Sequence, residues 1–194
     1  MTEMRANLPI QLFAAQATFE EWLGQQQEGA AGAWLRMAKK GAAITSLTKA
    51  EAIDAALCHG WIDGQLDNYD TESWLIRFTP RGSRSKWSEV NRTRAGELIA
   101  AGRMRPRGLA AVEHAKADGR WAAAYAPAST ATVPDDLAEA LARSPKAEAF
   151  FATLTGANRY AVLYRIGAVK RAETRARKIA AFVAMLERGE TVHG

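Results

Sequence analysis

Arg77, Arg81, Arg84 and Lys86 crowd into ten consecutive positions, in a stretch broken by Pro80, Gly82 and Ser83 that runs into Ser88, a residue able to open a helix. Helix starts present free amides and positive potential, so such a basic loop feeding a helix suits a phosphate or a carboxylate. Trp61, Trp74, Phe78 and Trp87 lie close by in sequence and offer flat apolar walls. The candidate ligand set is therefore Trp61, Asp63, Arg77, Arg81, Arg84, Ser85, Trp87, Ser88 and Asn91. Two further readings stay open for the same residues. Arginines beside aromatics also form cation–π cores that hold no ligand, and Asp63, Arg77, Arg81 and Asn91 together would furnish the polar groups of an enzyme pocket.

Other chemistries find less support. Cys58-His59 contains a nucleophile and a base, but neighbours on a helix point about 100° apart and would not face each other. Cys58 reads as a small buried hydrophobe, and His59 as a cation in the last turn of a helix, favourable to its dipole. The three histidines, His59, His114 and His193, show no metal-ligand spacing, and Cys58 is the only cysteine, so neither a metal nor a cofactor is expected. Asp63, Asp67, Asp70 and Glu72 do not fit a calcium loop, because Gly64 falls too early. Phosphate loops, nucleophile elbows and dinucleotide fingerprints are missing. Arg171, Arg175 and Lys178 follow i, i+4, i+7 spacing and read as a solvated helix face. Nucleic-acid contact through that face is the remaining alternative, without a recognised module behind it.

Charge sharpens the picture more than the overall +5. Residues 1–76 carry a net −5, residues 77–107 a net +7, and residues 158–188 a net +6. Two basic segments on an acidic body attract anions in general, from small molecules to acidic protein surfaces. The hydrophobic fraction of 48% is that of a folded chain rather than a disordered one. Met1–Phe13 holds a single basic residue, Arg5, and no apolar run, which argues against a secretory signal. With one cysteine and no membrane-length apolar stretch, a cytoplasmic protein is expected.

These residues need elements to position them. Thr18 to about Gln27 reads as a helix capped by Thr18, and Ala33–Lys39 as a strand. Thr48 and Glu51 make a capping box for a helix that stops at Gly60. Trp61–Leu66 and Ser73–Thr79 form a hairpin. A turn centred on Asp70 would place Asp63 opposite Arg77 and Gln65 opposite Leu75. Helices follow from Ser88 to Ala101 and from Pro106 to near Gly119. Beyond the Ala-rich stretch 122–131, Pro134 opens a helix through Leu141, and Ser144-Pro145 begins another. Two more helices fill Asn158 to Gly189, the last with Ile179, Phe182, Val183 and Leu186 along one face.

Several compound motifs run through these elements: Gly60-Trp-Ile-Asp-Gly-Gln65, Arg77-Phe-Thr-Pro-Arg-Gly82 and Ser85-Lys-Trp-Ser-Glu-Val-Asn91, then Gly102-Arg-Met104 and Gly108. Val133-Pro-Asp-Asp-Leu137 and Lys170-Arg-Ala-Glu-Thr-Arg175 follow. Together they resemble the YdeI/OmpD-associated, bacteriocin-protection family from about Trp34 to Gly189. Gly167 departs from the stouter polar residue usual there. The resemblance implies a bacterial protein protecting against bacteriocins or similar stress, and no reaction, cofactor or catalytic residue. The expected fold is α+β and predominantly helical. A unit over residues 1–121 carries a small three-stranded antiparallel sheet, and a linker at 122–131 leads to a helical unit, 132–194, packed on it. The leading functional reading is a non-enzymatic protection protein binding an anionic small molecule or an acidic partner.

Overall fold

The computed structural model describes residues 3–27 and 29–193, which fall into two compact units, residues 1–124 and 125–194. The first unit is α+β. Its strands are β1 (Met4–Arg5), β2 (Leu8–Gln11), β3 (Ala33–Ala38), β4 (Trp61–Asn68) and β5 (Ser73–Pro80). Among them run α1 (Gln16–Gln25) and α2 (Lys49–Cys58), and after them α3 (Glu89–Ala100) and α4 (Pro106–Ala117). The second unit holds α5 (Asp135–Ala142), α6 (Pro145–Thr153), α7 (Gly156–Gly167) and α8 (Ala172–Glu187).

The sheet has five strands, not three, in the order β1-β2-β3-β5-β4. It is mixed, because β2 runs parallel to β3 while the other neighbours are antiparallel. The two extra strands hold two and four residues, one of them Pro9, too short to develop a readable alternation. A left-handed pair, Ala6 and Asn7, turns the chain between them.

The faces of β3 and β5 decide what is core. Ala33, Leu35, Met37, Ile76 and Phe78 point to one side, where Phe19 and Leu23 of α1 and Ala52, Ala55 and Ala56 of α2 cover them. Trp34 and Leu75 point to the other, with Leu8. A third cluster joins Leu57 and Cys58 of α2 to Trp87, to Ala95 and Leu98 of α3, and to Val112 and Ala115 of α4.

The capping box forms as its sequence requires. The Thr48 hydroxyl accepts from the Glu51 amide at 3.2 Å, and the Glu51 carboxylate accepts from the Thr48 amide at 2.7 Å. Gly60 follows α2 with φ +74°, a left-handed conformation that glycine adopts without strain. Two starts differ from expectation. α1 begins at Gln16 with Ala15 before it, and Thr18 bonds back to the Ala15 carbonyl instead of capping. Pro134 precedes the first turn of α5 rather than lying in it.

The hairpin forms, but in another register. Asp63 pairs with Phe78, Leu66 with Ile76 and Asp67 with Leu75, with a bulge between Asp63 and Leu66 at Gly64 and Gln65. The turn is pulled off centre because the Asp70 carboxylate accepts from the amides of Glu72 at 2.9 Å and Ser73 at 2.7 Å. Asp63 therefore shares a face with Phe78, and Arg77 the opposite face with Trp34. The expected Asp63–Arg77 and Gln65–Leu75 pairs do not exist.

In the second unit Leu137, Leu141, Phe151, Val162, Ile166, Ile179, Phe182 and Leu186 form a core of their own. Ser144 caps α6 by accepting from the Ala147 amide, and Gly189, with φ +70°, ends the α8 segment.

Candidate functional site

The structure divides the candidate set. Arg81, Trp61 and Trp87 do come together, as packing. The Arg81 guanidinium lies over the Trp87 ring, 3.7 Å from its centroid, and its Nε donates to the Trp61 carbonyl at 3.2 Å. Nη1 donates to the Lys86 carbonyl, also at 3.2 Å. Trp87 is buried edge-on against Trp121, with centroids 4.8 Å apart. Its indole N–H meets no acceptor among the described residues, so stacking holds the ring.

The rest of that loop is tied down in the same way. Ser85 Oγ accepts from the Gly82 amide at 3.0 Å, and the Ser85 carbonyl accepts from Arg120 at 2.9 Å. Ser88 Oγ accepts from the Asn91 amide at 3.1 Å, so the α3 start already has a cap where an anion was expected. Arg84 is exposed; Arg77 is exposed on the far face of β5, and Asp63 is half-buried on the near one. An enzyme pocket of Asp63, Arg77, Arg81 and Asn91 is not assembled by this geometry.

Much of the remaining positive charge is neutralised within the fold. Asp54 of α2, 8% exposed, accepts from both Nε and Nη2 of Arg94. This pairing, with help from Glu97, holds the Arg94 guanidinium well above its ordinary pKa. Arg103 lies 3.6 Å from Asp54 and 3.1 Å from Glu20, linking the α3–α4 connection to α2 and α1. In the second unit, Arg175 is not merely solvated. It bonds to Asp136 at 2.8 Å and to the Ile166 carbonyl at 2.8 Å, fastening α8 to α5 and α7. Asp136 is held below the usual carboxylate range by that guanidinium.

Arg105 and Arg107 reach a different place. They flank Pro106 at the start of α4 and line a cleft of about 630 Å³. The opposite wall is one face of α1, Ala17, Glu20, Glu21 and Gly24, spaced i, i+3, i+4 and i+7. His59, at the end of α2, and Leu23 complete the lining. The volume lies within the range of small-molecule sites, about 300–1,000 Å³.

Two glycines bring these elements so close. A Cβ on Gly108 would stand 2.2 Å from the Cys58 carbonyl oxygen, and one on Gly60 would stand 2.8 Å from the Arg107 oxygen. The Arg105 amide donates to the Cys58 carbonyl at 3.0 Å, pinning the α4 start to the α2 end. Arg105 supplies no side-chain cap, so of the residues lining the cleft Arg107 carries a first-turn amide left for another acceptor, while Gly108 is buried against the end of α2. Arg107 Nη1 donates to the Gln26 carbonyl at the end of α1.

His59 is not the cation expected of it. Burial, reinforced by Arg105 and Arg107 and only partly opposed by Glu20, holds its imidazole below the ordinary histidine pKa. At neutral pH it is therefore an uncharged donor and acceptor on the cleft wall. Cys58 beside it faces the core, and burial raises its thiol pKa, the reverse of what a nucleophile needs. Sequence reasoning missed this cleft because its residues come from positions 17–24, 59 and 105–107. The readable signals were Arg105-Pro-Arg107 at a helix start and the recurrence of Ala17, Glu20, Glu21 and Gly24.

Fold and site together define a two-unit α+β protein with one mixed sheet, most of whose buried or half-buried arginines are spent on internal pairing. The chain belongs to a family described as a domain of unknown function (DUF8412), whose model matches residues 11–111. A second family model, Bacteriocin-protection, YdeI or OmpD-associated, matches residues 130–189. The motifs between Gly60 and Gly108 lie in the first match, those between Val133 and Arg175 in the second. No curated protein and no solved structure matches the chain. No helix of the described residues is long and apolar enough to cross a membrane.

Proposed function

We propose that this is a protection protein of the bacteriocin-resistance type that acts by binding a small anionic ligand, without turning it over. The match of residues 130–189 to the bacteriocin-protection family supports the biological setting. The binding site is the cleft at the α4 start rather than the loop 81–88. One observation carries this placement: Arg105 and Arg107, the latter with an uncapped helix-start amide, border a single concavity that also contains the uncharged His59. Guanidiniums and helix-start amides together complement a phosphate or carboxylate. At the loop, by contrast, Arg81 is engaged with Trp87 and two carbonyls, and Ser88 occupies the helix start.

Phosphate stabilises the folded protein by mass action if this reading holds. It should raise the melting temperature beyond what chloride achieves at equal ionic strength. Arg105→Gln combined with Arg107→Gln should abolish that excess, whereas Arg84→Gln should leave it intact. The opposite pattern moves the site back to the loop.

A further inference from the structure

The two walls of the cleft carry opposite charge. Glu20 and Glu21 stand on the α1 wall, Arg105 and Arg107 on the α4 wall, and His59, neutral at physiological pH, accompanies them. Glu20 already accepts from Gln16 at 2.8 Å and Arg103 at 3.1 Å, which leaves Glu21, exposed on the same wall, as the available carboxylate. A ligand with an anionic group alone would use only the α4 wall and leave the carboxylate of the α1 wall without a partner.

Gly24 supplies the second observation. It lies in the last turn of α1, one residue before the helix ends, where glycine is less favourable than alanine by up to about 1 kcal/mol. Nothing in the packing demands it: its backbone is not left-handed, and a Cβ there would meet only His59 Cε1, at an ordinary 3.8 Å. What the missing side chain does is leave bare backbone on the cleft wall beside the imidazole. The helix forgoes stability, and the cleft keeps its depth. Ala17, Leu23 and Pro106 add apolar lining between the charged groups.

From this we infer that the ligand is a short zwitterionic peptide, its carboxylate at Arg105 and the Arg107 amide and its ammonium at Glu21. The inference rests on the cleft being the anion site proposed above, and adds to it the second charge and the peptide character. A single amino acid would leave most of about 630 Å³ unfilled, whereas a short peptide occupies more of it and lays amide groups beside His59.

The test uses the full chain and three forms of trialanine: free, N-acetylated and C-amidated, titrated by calorimetry. Free trialanine should bind about tenfold more tightly than either blocked form, the usual worth of one charge-assisted hydrogen bond. Glu21→Gln should erase the advantage over the acetylated form alone, and Arg105→Gln the advantage over the amide alone. Gly24→Leu should fill the cleft and remove binding of all three, while circular dichroism and melting show α1 at least as stable as before. Equal affinity for all three forms, or no trialanine binding while phosphate still stabilises the protein, overturns the peptide inference and leaves the anion site standing. If phosphate fails as well, both readings fall. Retained binding in Gly24→Leu places the peptide elsewhere and also overturns the inference.

Discussion

At the scale of single residues, His59 shows how position overrides type. A histidine ending a helix is ordinarily favoured as a cation by the dipole. Here burial wins, assisted by Arg105 and Arg107, and the folded state prefers the neutral ring. The consequence has a definite sign. Because the folded pKa lies below the unfolded value of 6.5, the unfolded chain binds the proton first as pH falls. Stability associated with His59 is therefore complete above about pH 6.5 and declines as pH falls through the folded pKa. Wild type should lose stability relative to His59→Gln between about pH 7 and pH 5 in urea titrations. A difference independent of pH would show that the ring is not held neutral. For Cys58, burial and a raised thiol pKa predict slow reaction with a water-soluble alkylating reagent in the native state. Labelling as fast as in the unfolded chain would contradict its place in the core. Burial of Cys58 was legible from its apolar helix face. The neutral His59 was not, since its two arginine neighbours lie more than forty positions away in sequence.

At the scale of elements, local chemistry was the readable part. The Thr48–Glu51 box, the Ser144 cap and the stops at Gly60 and Gly189 all involve residues within a few positions of each other. The hairpin was half readable. Its strands follow from composition, but its register depends on where the Asp70 side chain bonds and on a bulge at Gly64–Gln65. Neither leaves a periodic signal. β1 and β2 are likewise defined by their partners rather than by their own pattern. Element packing then makes one steric demand that can be tested. Gly108→Ala would press a methyl to 2.2 Å from the Cys58 carbonyl, backbone against backbone, where no side chain can swing away. Overpacking of this kind costs about 1–3 kcal/mol. Gly24→Ala, in the last turn of α1 and with room, should instead be neutral or stabilising by up to about 1 kcal/mol. Chemical denaturation of the two variants checks the contrast, and equal effects would contradict the close approach of α4 to the end of α2.

At the scale of the molecule, each unit has a core of its own, and the family models divide along a similar line, with matches at 11–111 and 130–189. Residues 125–194 expressed alone should be helical and unfold cooperatively, though with no more than about 3–5 kcal/mol of stability, as for other chains of that size. A random-coil spectrum for this fragment would contradict an independent core. The same scale locates the protein's positive charge. Residues 77–107 carry a net +7, and the sequence suggested one basic loop. Folding instead spends Arg81, Arg94 and Arg103 on internal partners and turns Arg105 and Arg107 to the cleft. The anion site at the α4 start is the central claim, and amide chemical shifts followed by NMR during a phosphate titration test it most directly. The account predicts saturable shifts concentrated at Arg105, Arg107 and His59, with Gly82 to Ser88 unmoved. Saturable shifts at Gly82 to Ser88 with the α4 start silent, or no saturable shift at all, would contradict it.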